Sequence, residues 1–458
     1  MFNLSINNYR SFLKQDLKFS RINILIGENS GGKSSLLKLL LALKQTIESP
    51  LEGNLKLTGY YTDLGNYEEV VYYRKKNRKI SIGFEDTGKY FDYFLEFLDE
   101  MEVDASSSKL KSITKIVDAF KDTTTSIEFE FSSKLSDHST INTVIKNSKI
   151  GDLEIVQKKG KEEHHNRQII VDLVFDFGEE KGKIETCYAI KEGFFTLLTP
   201  ELEISCRKKY GDKVYYKIVY LLVMQNYIQD EIAKIRFVNP ITNSPKRLYF
   251  QEDKKSAYKT IDIEKFINII SDKSLSPKGY QNRIDHLNKA LKEFGIADEI
   301  EIKREKQLPV MALNVKTKDF WSNITDVGYG VSLQIPILFQ AILSEHYTKK
   351  GQTLLIEQPE VHLHPSLQAK FIETLLSIGN KNVYFIETHS EHIIRKLQVL
   401  VKNKKFGLKP EDISIHYFKR EPLKFDISSH SITDDGKLSP SFPSGFYDTS
   451  YSLVKELM

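Results

Sequence analysis

The chain has 458 residues, of which 40% are hydrophobic and 28% are charged, and its formal net charge is +4. This length predicts two or three domains, and the composition is typical of a globular protein with a sizeable core. No apolar run approaches the roughly 18 residues that a membrane-spanning helix needs, and residues 1–12 lack the layout of a signal peptide. The only two cysteines, Cys187 and Cys206, favour a reducing compartment. We therefore expect a cytoplasmic protein without a membrane partner.

A phosphate-binding loop is predicted near the N-terminus. An apolar run at 22–26 predicts a strand, and the helix-forming run at 36–43 predicts a helix. Between them, GENSGGKSS at 27–35 fills the pattern G-x-x-x-x-G-K-[ST] in full. Glycines let backbone N–H groups wrap phosphates, and the following helix points its positive N-terminus at them. The residues expected to bind the nucleotide here are Gly27, Asn29, Ser30, Gly31, Gly32, Lys33, Ser34 and Ser35.

Two side chains of this loop have separate chemical roles. Lys33 is expected to reach the β and γ phosphates, and the Ser34 hydroxyl is expected to ligate Mg²⁺. The alternative is a glycine-rich strand-to-helix turn without a nucleotide, which the agreement between motif and flanking elements disfavours. The loop therefore predicts binding of a nucleoside triphosphate.

The middle of the chain differs in character from its two ends. Alternating residues at 183–190 predict antiparallel strands, and the pattern at 281–294 predicts a helix that ends at Gly295. Continuous apolar runs at 353–356 and 382–386 predict buried parallel strands. The predicted domains are 1–85 (first half of a nucleotide-binding fold), 86–305 (an inserted lobe of mixed strands and helices), 306–407 (the second half) and 408–458 (a C-terminal segment).

The second half supplies further candidate site residues. Leu354-Leu355-Ile356-Glu357 is an apolar strand that ends in a carboxylate, the Walker B arrangement, so Glu357 is expected to hold Mg²⁺ together with Ser34. A second such strand leads to the sequence ETHSEH at 387–392, and DVGYGVS at 326–332 precedes a predicted helix at 333–343.

The order of these motifs resembles the ABC-type ATPases related to the Rad50 and SMC heads and the OLD-type ATPases. More narrowly, it resembles bacterial AAA ATPases that end in a DUF3696 segment. The narrower resemblance is carried by EQPEVHLHP at 357–365, VGYGVS at 327–332, NPITNSPKRLYF at 239–250, and DG at 435–436 with FPSGFYD at 442–448. It implies an α/β fold: an ABC-type ATPase head with a split nucleotide-binding fold and an inserted α+β lobe.

The resemblance also implies cofactors and further site residues. ATP and Mg²⁺ would bind between two copies in a homodimer or higher homo-oligomer. Gly328, Gly330 and Ser332 of one copy would cap the γ-phosphate held by the other. His389 would sense that phosphate within its own chain. Arg10 would contact the nucleotide, with an ordinary surface arginine as the alternative.

The sequence departs from the pattern of ABC-type ATPases in two places. The signature is VSLQ at 331–334 and not L-S-G-G-Q, so the contact with the other copy can differ in detail, and the second departure is the more important. Gln358 stands where those enzymes usually keep the general base, and an amide orients a water molecule but does not accept its proton. Either Glu360 or another group accepts that proton, or hydrolysis is slow and ATP serves as a clamp. The predicted catalytic set is therefore Glu357, Gln358, Glu360 and His389.

Relatives of the resembling kind include the ATPase subunits of anti-phage defence systems such as PARIS and Septu, which work with a separate nuclease. The resemblance implies a sensor and scaffold that controls a partner effector nuclease in response to a phage protein or nucleic acid. The alternative is a DNA-binding ATPase of the Rad50 and SMC type in DNA repair or maintenance. The insert lacks the sustained heptad pattern of a long coiled coil, which favours the first function.

Overall fold

The computed structural model describes residues 2–49, 55–86, 88–100, 120–132, 142–157, 161–163, 166–189, 200–238, 244–250, 260–272, 276–305, 308–420, 425–442 and 455–456. Parts of two quoted motifs, 239–243 and 443–448, lie outside these ranges, as does the side chain of Cys187. Within the ranges, no helix has the length and apolar content that a membrane crossing requires.

The strands are β1 (Phe2–Tyr9), β2 (Phe12–Leu17), β3 (Ile22–Gly27), β4 (Ile80–Asp86), β5 (Thr125–Phe131), β6 (Asn142–Asn147), β7 (Gly151–Gln157), β8 (Lys161–Glu163), β9 (Asn166–Phe177), β10 (Glu180–Ala189), β11 (Ile235–Val238), β12 (Tyr249–Phe250), β13 (Thr260–Ile261), β14 (Glu299–Arg304), β15 (Val310–Thr317), β16 (Phe320–Asn323), β17 (Thr353–Glu357), β18 (Val383–Glu387), β19 (Ile413–Arg420), β20 (Phe425–Ile432) and β21 (Leu438–Ser439). The helices are α1 (Lys33–Ile47), α2 (Tyr67–Val70), α3 (Tyr90–Glu100), α4 (Pro200–Ala233), α5 (Ile263–Ile270), α6 (Pro277–Phe294), α7 (Tyr329–His346), α8 (Pro365–Ser377) and α9 (Glu391–Lys402).

The first of two compact units comprises residues 1–19, 38–233 and 422–424. Its described sheet is antiparallel, with strand order β10-β9-β7-β6-β5-β4-β1-β2 and β8 paired with β9. Buried and half-buried residues alternate along β5, as expected for strands with one face on a core. The prediction of antiparallel strands within the insert is confirmed. Strands β1 and β2, which precede the phosphate loop, belong to this same sheet.

The second unit comprises residues 20–37, 234–421 and 425–458. Its main sheet has the order β13-β11-β17-β18-β3-β19-β20-β21, and all neighbours from β13 to β19 are parallel. Its hydrophobic core joins strand residues such as Ile24 and Ile386 to Phe339 of α7, Phe371 of α8 and Leu397 of α9. Helices packed on a parallel sheet explain why β3 is buried along its whole length. The predicted mixed α/β fold is confirmed.

Predicted boundaries agree closely with the observed elements of this unit. Strand β17 contains the predicted run at 353–356, β18 begins one residue after the start of the run predicted at 382–386, and α7 contains the helix predicted at 333–343. Helix α6 begins after Ser276, which caps the Gly279 N–H, and it ends at Gly295 in the left-handed conformation (φ +82°). A left-handed glycine is the usual helix end signal, so the predicted end is confirmed.

Strand order determines what meets at the phosphate loop. β18 lies between β17 and β3, with Glu387 in register with Glu357 on one side and with Leu25 on the other. On its opposite edge β3 pairs with β19, where Gly27 is in register with Phe418. Parallel strands end at the same edge of a sheet, so the carboxyl ends of four strands converge on the loop.

The close approach of β3 and β19 generates a stability prediction. A Cβ on Gly27 (φ +135°) would lie 2.1 Å from the Phe418 carbonyl oxygen, whereas one on Gly407 (φ +64°) would meet no atom within 4 Å. Gly407→Ala should therefore incur only the backbone cost of a left-handed L residue, about 1–2 kcal/mol. Gly27→Ala should add a clash of about 1–3 kcal/mol. Urea unfolding of both variants measures the difference, and equal losses would contradict the tight contact.

Candidate functional site

The phosphate loop is held in a tightly wrapped backbone conformation. Gly27, Ser30 and Gly32 have φ of +135°, +59° and +103°. The Gly31 N–H donates to the Glu28 carbonyl at 3.1 Å, and a Cβ on Gly31 would lie 2.9 Å from that same oxygen. Glycine is required where the chain folds back this closely. The loop ends at α1, whose first N–H groups have no acceptor within the helix itself. Those of Ser35 and Leu36 donate to the Gly32 carbonyl at 3.0 and 3.2 Å.

The outer and inner residues of this loop differ in exposure. Asn29 and Ser30 are exposed, while Ser35 is half-buried and its N–H donates to the Gly32 carbonyl at 3.0 Å. Of the predicted loop residues, Gly27 ends β3, residues 29–32 form the connecting turn, and residues 33–35 begin α1.

Lys33 is the buried cation of the site, with 3% of its surface exposed. Its Nζ donates to the carbonyls of Gly27 at 3.0 Å and Glu28 at 2.7 Å. Burial lowers the pKa of Lys33, and the carboxylates of Glu387, Glu28 and Glu360 oppose that effect in that order. The ammonium is therefore held inside the loop by backbone oxygens and by surrounding negative charge.

Ser34 lies against a carboxylate that the sequence analysis did not select. Its Oγ donates to Glu387 Oε1 at 2.8 Å, and Glu387 is 3% exposed. Glu357, the predicted partner of Ser34, ends the neighbouring strand in register with Glu387 and is half-buried. A signal was present in the sequence, because β17 (TLLIE) and β18 (VYFIE) end in the same way.

The donors at this edge fit a magnesium–nucleotide complex. A hydroxyl and two carboxylates are hard oxygen ligands of the kind Mg²⁺ prefers, usually together with substrate phosphates and water. Among the described residues, no group of three or more His, Cys, Asp or Glu side chains is arranged to hold a metal alone. Phosphate oxygens would therefore complete the coordination.

The Gln358–Glu360 turn follows β17 directly. Gln358 has a left-handed backbone (φ +43°), and its N–H donates to the Glu387 carbonyl at 2.7 Å. Glu360 Oε1 accepts the His389 backbone N–H at 2.6 Å, while Oε2 is buried without a hydrogen-bond partner among the described residues. Burial raises the pKa of the Glu360 carboxyl above its ordinary value of 4.5. The turn thus brings Gln358, Glu360 and His389 together.

His389 is exposed at its position after β18. Partial burial lowers the pKa of its imidazole, and the positive charge of Lys33 lowers it further. Both effects favour the neutral imidazole, which has one N–H to donate.

The predicted signature residues occupy the start of α7. Gly328 is exposed, and a Cβ there would meet no atom within 4 Å. A Cβ on Gly330 would lie 2.8 Å from the His362 carbonyl oxygen. Ser332 is 4% exposed, and its Oγ donates to the Tyr329 carbonyl at 2.7 Å. Within one chain, Gly328 is thus open to approach while Ser332 faces inward.

A second residue outside the predicted set links α7 to the Gln358–Glu360 turn. The buried Gln334 amide donates from Nε2 to the Pro359 carbonyl at 2.7 Å. The start of α7 and this turn therefore share a buried hydrogen bond. Gln334 ends the signature at 331–334, but the sequence does not indicate its partner, which lies 25 residues further along the chain.

Arg10 belongs to the other compact unit. Its N–H donates to the Val70 carbonyl at 2.5 Å, and its guanidinium lies 5.9 Å from the centre of the Tyr9 ring. The remaining predicted site residues all lie in the second unit.

Two family profiles match the chain. The family described as an AAA ATPase domain matches residues 1–394, and the family described as a protein of unknown function, DUF3696, matches residues 408–457. Sequence comparison with curated proteins finds no match.

Solved SMC heads show a distant likeness. The Smc head bound to the C-winged helix domain of ScpA has 9% identity and a TM-score of 0.40, covering 94% of this chain and 98% of that one. The SMC head domain from Thermotoga maritima has 10% identity and a TM-score of 0.36, covering 93% and 97%. The Smc head domain with an extended coiled coil, bound to the C-terminal domain of ScpA derived from Pyrococcus furiosus, has 9% identity and a TM-score of 0.39, covering 99% and 98%. Likeness at this level supports no inference about ligands or partners.

The raised pKa of Glu360 generates a pH prediction. Because the folded chain holds this proton more tightly than the unfolded chain, Glu360 contributes stability below pH 4.5 that is lost as pH rises through its folded pKa. Glu360→Gln stays neutral, so its free energy of unfolding should increase relative to the native chain between pH 5 and pH 7.5. Urea unfolding at both pH values measures this. Glu411→Gln, which removes a carboxylate that is 71% exposed, is the control; an equal pH trend in both variants would contradict the assignment.

Proposed function

The chain belongs to the AAA ATPase domain family, and from that premise we propose that it binds ATP with Mg²⁺ at the phosphate loop and hydrolyses ATP slowly. We further propose that ATP-dependent pairing of two copies controls a partner effector nuclease in bacterial anti-phage defence. The observation that carries the nucleotide site is the wrapped loop that presents Lys33 and Ser34 beside the ends of β17 and β18.

Nucleotide binding requires Lys33 to exchange one set of oxygen partners for another. The carbonyls of Gly27 and Glu28 accept hydrogen bonds from its ammonium. Phosphate oxygens carry more negative charge than carbonyls, and charge-assisted hydrogen bonds are the stronger kind. Lys33 would therefore turn toward the β and γ phosphates, and the N–H groups at the start of α1 would bind the same oxygens.

Residues of the Gln358–Glu360 turn would have different roles in hydrolysis. Gln358 would orient the attacking water, and Glu360 would accept its proton through Oε2. A raised pKa makes Glu360 a stronger base, which suits that task. The neutral His389 would donate its ring N–H to the γ-phosphate. Bound Mg²⁺, held by Ser34 and Glu357, would neutralise charge on the phosphates.

Pairing of two copies would use the open start of α7. Gly328 is exposed and has open space around it at the N-terminus of that helix, and a helix N-terminus favours anions. Ser332, directed inward to Tyr329, would hold the first turn in shape, while Gly328 and the helix start meet the partner's γ-phosphate. Arg10 would add a contact to the nucleotide.

The defence role is supported by the resemblance of the motifs at 327–332 and 357–365 to those of defence ATPases that act with a separate nuclease. The match of residues 408–457 to the DUF3696 family agrees with that resemblance. A slow ATPase that remains loaded would suit a sensor awaiting a phage protein or nucleic acid. Fold alone does not determine such a role, so it requires its own experiment.

Nucleotide binding should depend on Lys33. Lys33→Ala removes the buried ammonium that faces the loop, so affinity for a fluorescent ATP analogue should fall by at least tenfold. Lys38→Ala removes a half-buried lysine from the same helix and should leave affinity within twofold of the native chain. Equal affinities in all three proteins would contradict the phosphate-loop assignment.

The same pair of variants tests the defence role in cells. Bacteria carrying this gene with its flanking genes should survive phage challenge, and Lys33→Ala should abolish that protection while Lys38→Ala retains it. Protection that is absent from the native set of genes, despite measured ATP binding, would contradict the defence role alone.

Turnover should depend on the side chain at position 358. Gln358→Glu keeps the size of the residue and its left-handed backbone but supplies a carboxylate, so the ATPase rate should rise. General-base help is worth about 10²–10⁴ in rate, which sets the upper bound. Glu360→Gln should lower the native rate. Phosphate release under saturating ATP measures the three rates. A fast native ATPase that is slowed by Gln358→Glu and unaffected by Glu360→Gln would overturn these roles.

A further inference from the structure

Of the carboxylates that end β17 and β18, Glu387 lies nearer the phosphate loop than the Walker B residue Glu357 does. Adjacent strands lie about 4.8 Å apart. Because β18 is the direct neighbour of β3 and β17 is one strand further away, Glu387 is roughly one strand spacing from β3 and Glu357 roughly two. The position of Glu387 follows from strand order, which the motif pattern does not contain.

Ser34 and Glu387 form a hydrogen bond of ordinary length, and the same separation also allows both oxygens to bind one Mg²⁺ ion. Mg²⁺ binds oxygen ligands octahedrally at about 2.0–2.1 Å, so two adjacent ligands lie about 2.9 Å apart. Ser34 Oγ and Glu387 Oε1 are 2.8 Å apart. These two oxygens therefore stand at the separation of neighbouring ligands on one ion, and the serine proton bridges them in the structure described.

Burial at this place argues for a charge-binding role. Glu387 is 3% exposed, and a carboxylate withdrawn from water is costly unless paired with a cation or fully hydrogen-bonded. An apolar residue at the end of a buried parallel strand would avoid that cost. Lys33 already opposes the charge of Glu387, and a divalent cation beside the Ser34 hydroxyl would compensate it further.

Building on the proposed nucleotide site, we propose that Glu387 is a direct carboxylate ligand of the divalent cation, adjacent to Ser34, and that Glu357 acts on the same ion from the next strand through a metal-bound water. When the cation enters, the Ser34 hydroxyl reorients its proton away from Glu387 and remains a neutral hydroxyl. No bond is made or broken within the protein apart from this hydrogen bond.

A purely structural role for Glu387 predicts different behaviour. Its backbone carbonyl accepts the Gln358 N–H at 2.7 Å, a contact that does not involve the side chain. Glu387→Gln keeps this contact, and its amide oxygen can still accept the Ser34 hydroxyl. The substitution therefore removes the charge and leaves the scaffold, which separates the two roles.

The test measures metal and nucleotide separately. Mn²⁺ titrations of the full chain, followed by electron paramagnetic resonance with a saturating non-hydrolysable ATP analogue, report metal affinity. Loss of a group that only supports a metal ligand lowers metal affinity by roughly 10–100-fold. Loss of the charge of a direct ligand should cost at least as much, so Glu387→Gln should weaken Mn²⁺ binding by at least about tenfold. Affinity for the analogue in EDTA should stay within twofold. Glu411→Gln, at an exposed position outside the site, should match the native chain in both measurements.

The two possible failures, of the metal ligand and of the nucleotide site, give different results. Mn²⁺ affinity within twofold of the native value in Glu387→Gln would overturn the assignment of Glu387. A native chain that binds the analogue neither with nor without Mn²⁺ would instead overturn the proposed nucleotide site.

A second variant keeps the assignment testable if Glu387→Gln does not fold. Thiolates prefer soft metals, so Glu387→Cys should bind Cd²⁺ at least about tenfold more tightly than the native chain does with the same analogue. Equal Cd²⁺ affinities in the two proteins would overturn the proposal.

Discussion

The buried ammonium of Lys33 is the constraint on which the rest of the site depends. A charge withdrawn from water needs partners in fixed positions, and here two backbone carbonyls of the loop provide them. Those carbonyls are available only because the loop wraps around the side chain, which requires Gly27 and Gly32 at positive φ. The surrounding carboxylates compensate the charge from the ends of other strands. Loop conformation, sheet order and local charge are therefore interdependent.

Much of this could be predicted from the sequence, because the signals are local. The phosphate loop carries its own glycines and lysine within nine consecutive residues, GENSGGKSS, and the apolar runs of β17 and β18 mark buried parallel strands. Gly295 likewise predicted where α6 ends. What the sequence does not state is the lateral order of strands. With β18 beside β3, Glu387 meets Ser34, whereas the motif pattern by itself points to Glu357.

The sequence also did not indicate in which direction individual side chains of a predicted helix point. Ser332 lies at the predicted place on α7, yet its hydroxyl turns back to Tyr329, because a serine near a helix start readily bonds the backbone of its own turn. The Gln334 side chain instead leaves its own turn and donates a hydrogen bond to the Pro359 carbonyl. Motif spacing determines which helix carries a residue, while the packing of that helix determines which face is buried.

The C-terminal segment that matches the DUF3696 family contributes directly to the nucleotide sheet. Its strand β19 lies beside β3, and the Phe418 carbonyl accepts the Glu28 N–H at 3.0 Å. A second hydrogen bond joins the same two segments, because Glu28 Oε2 accepts the Arg420 N–H at 3.3 Å. Glu28 also supplies one of the two carbonyls that hold Lys33, so a ligand that draws Lys33 away changes the bonds of a residue fixed to β19. The loop and the C-terminal strand share these hydrogen bonds, and a rearrangement at one must either move the other or break them.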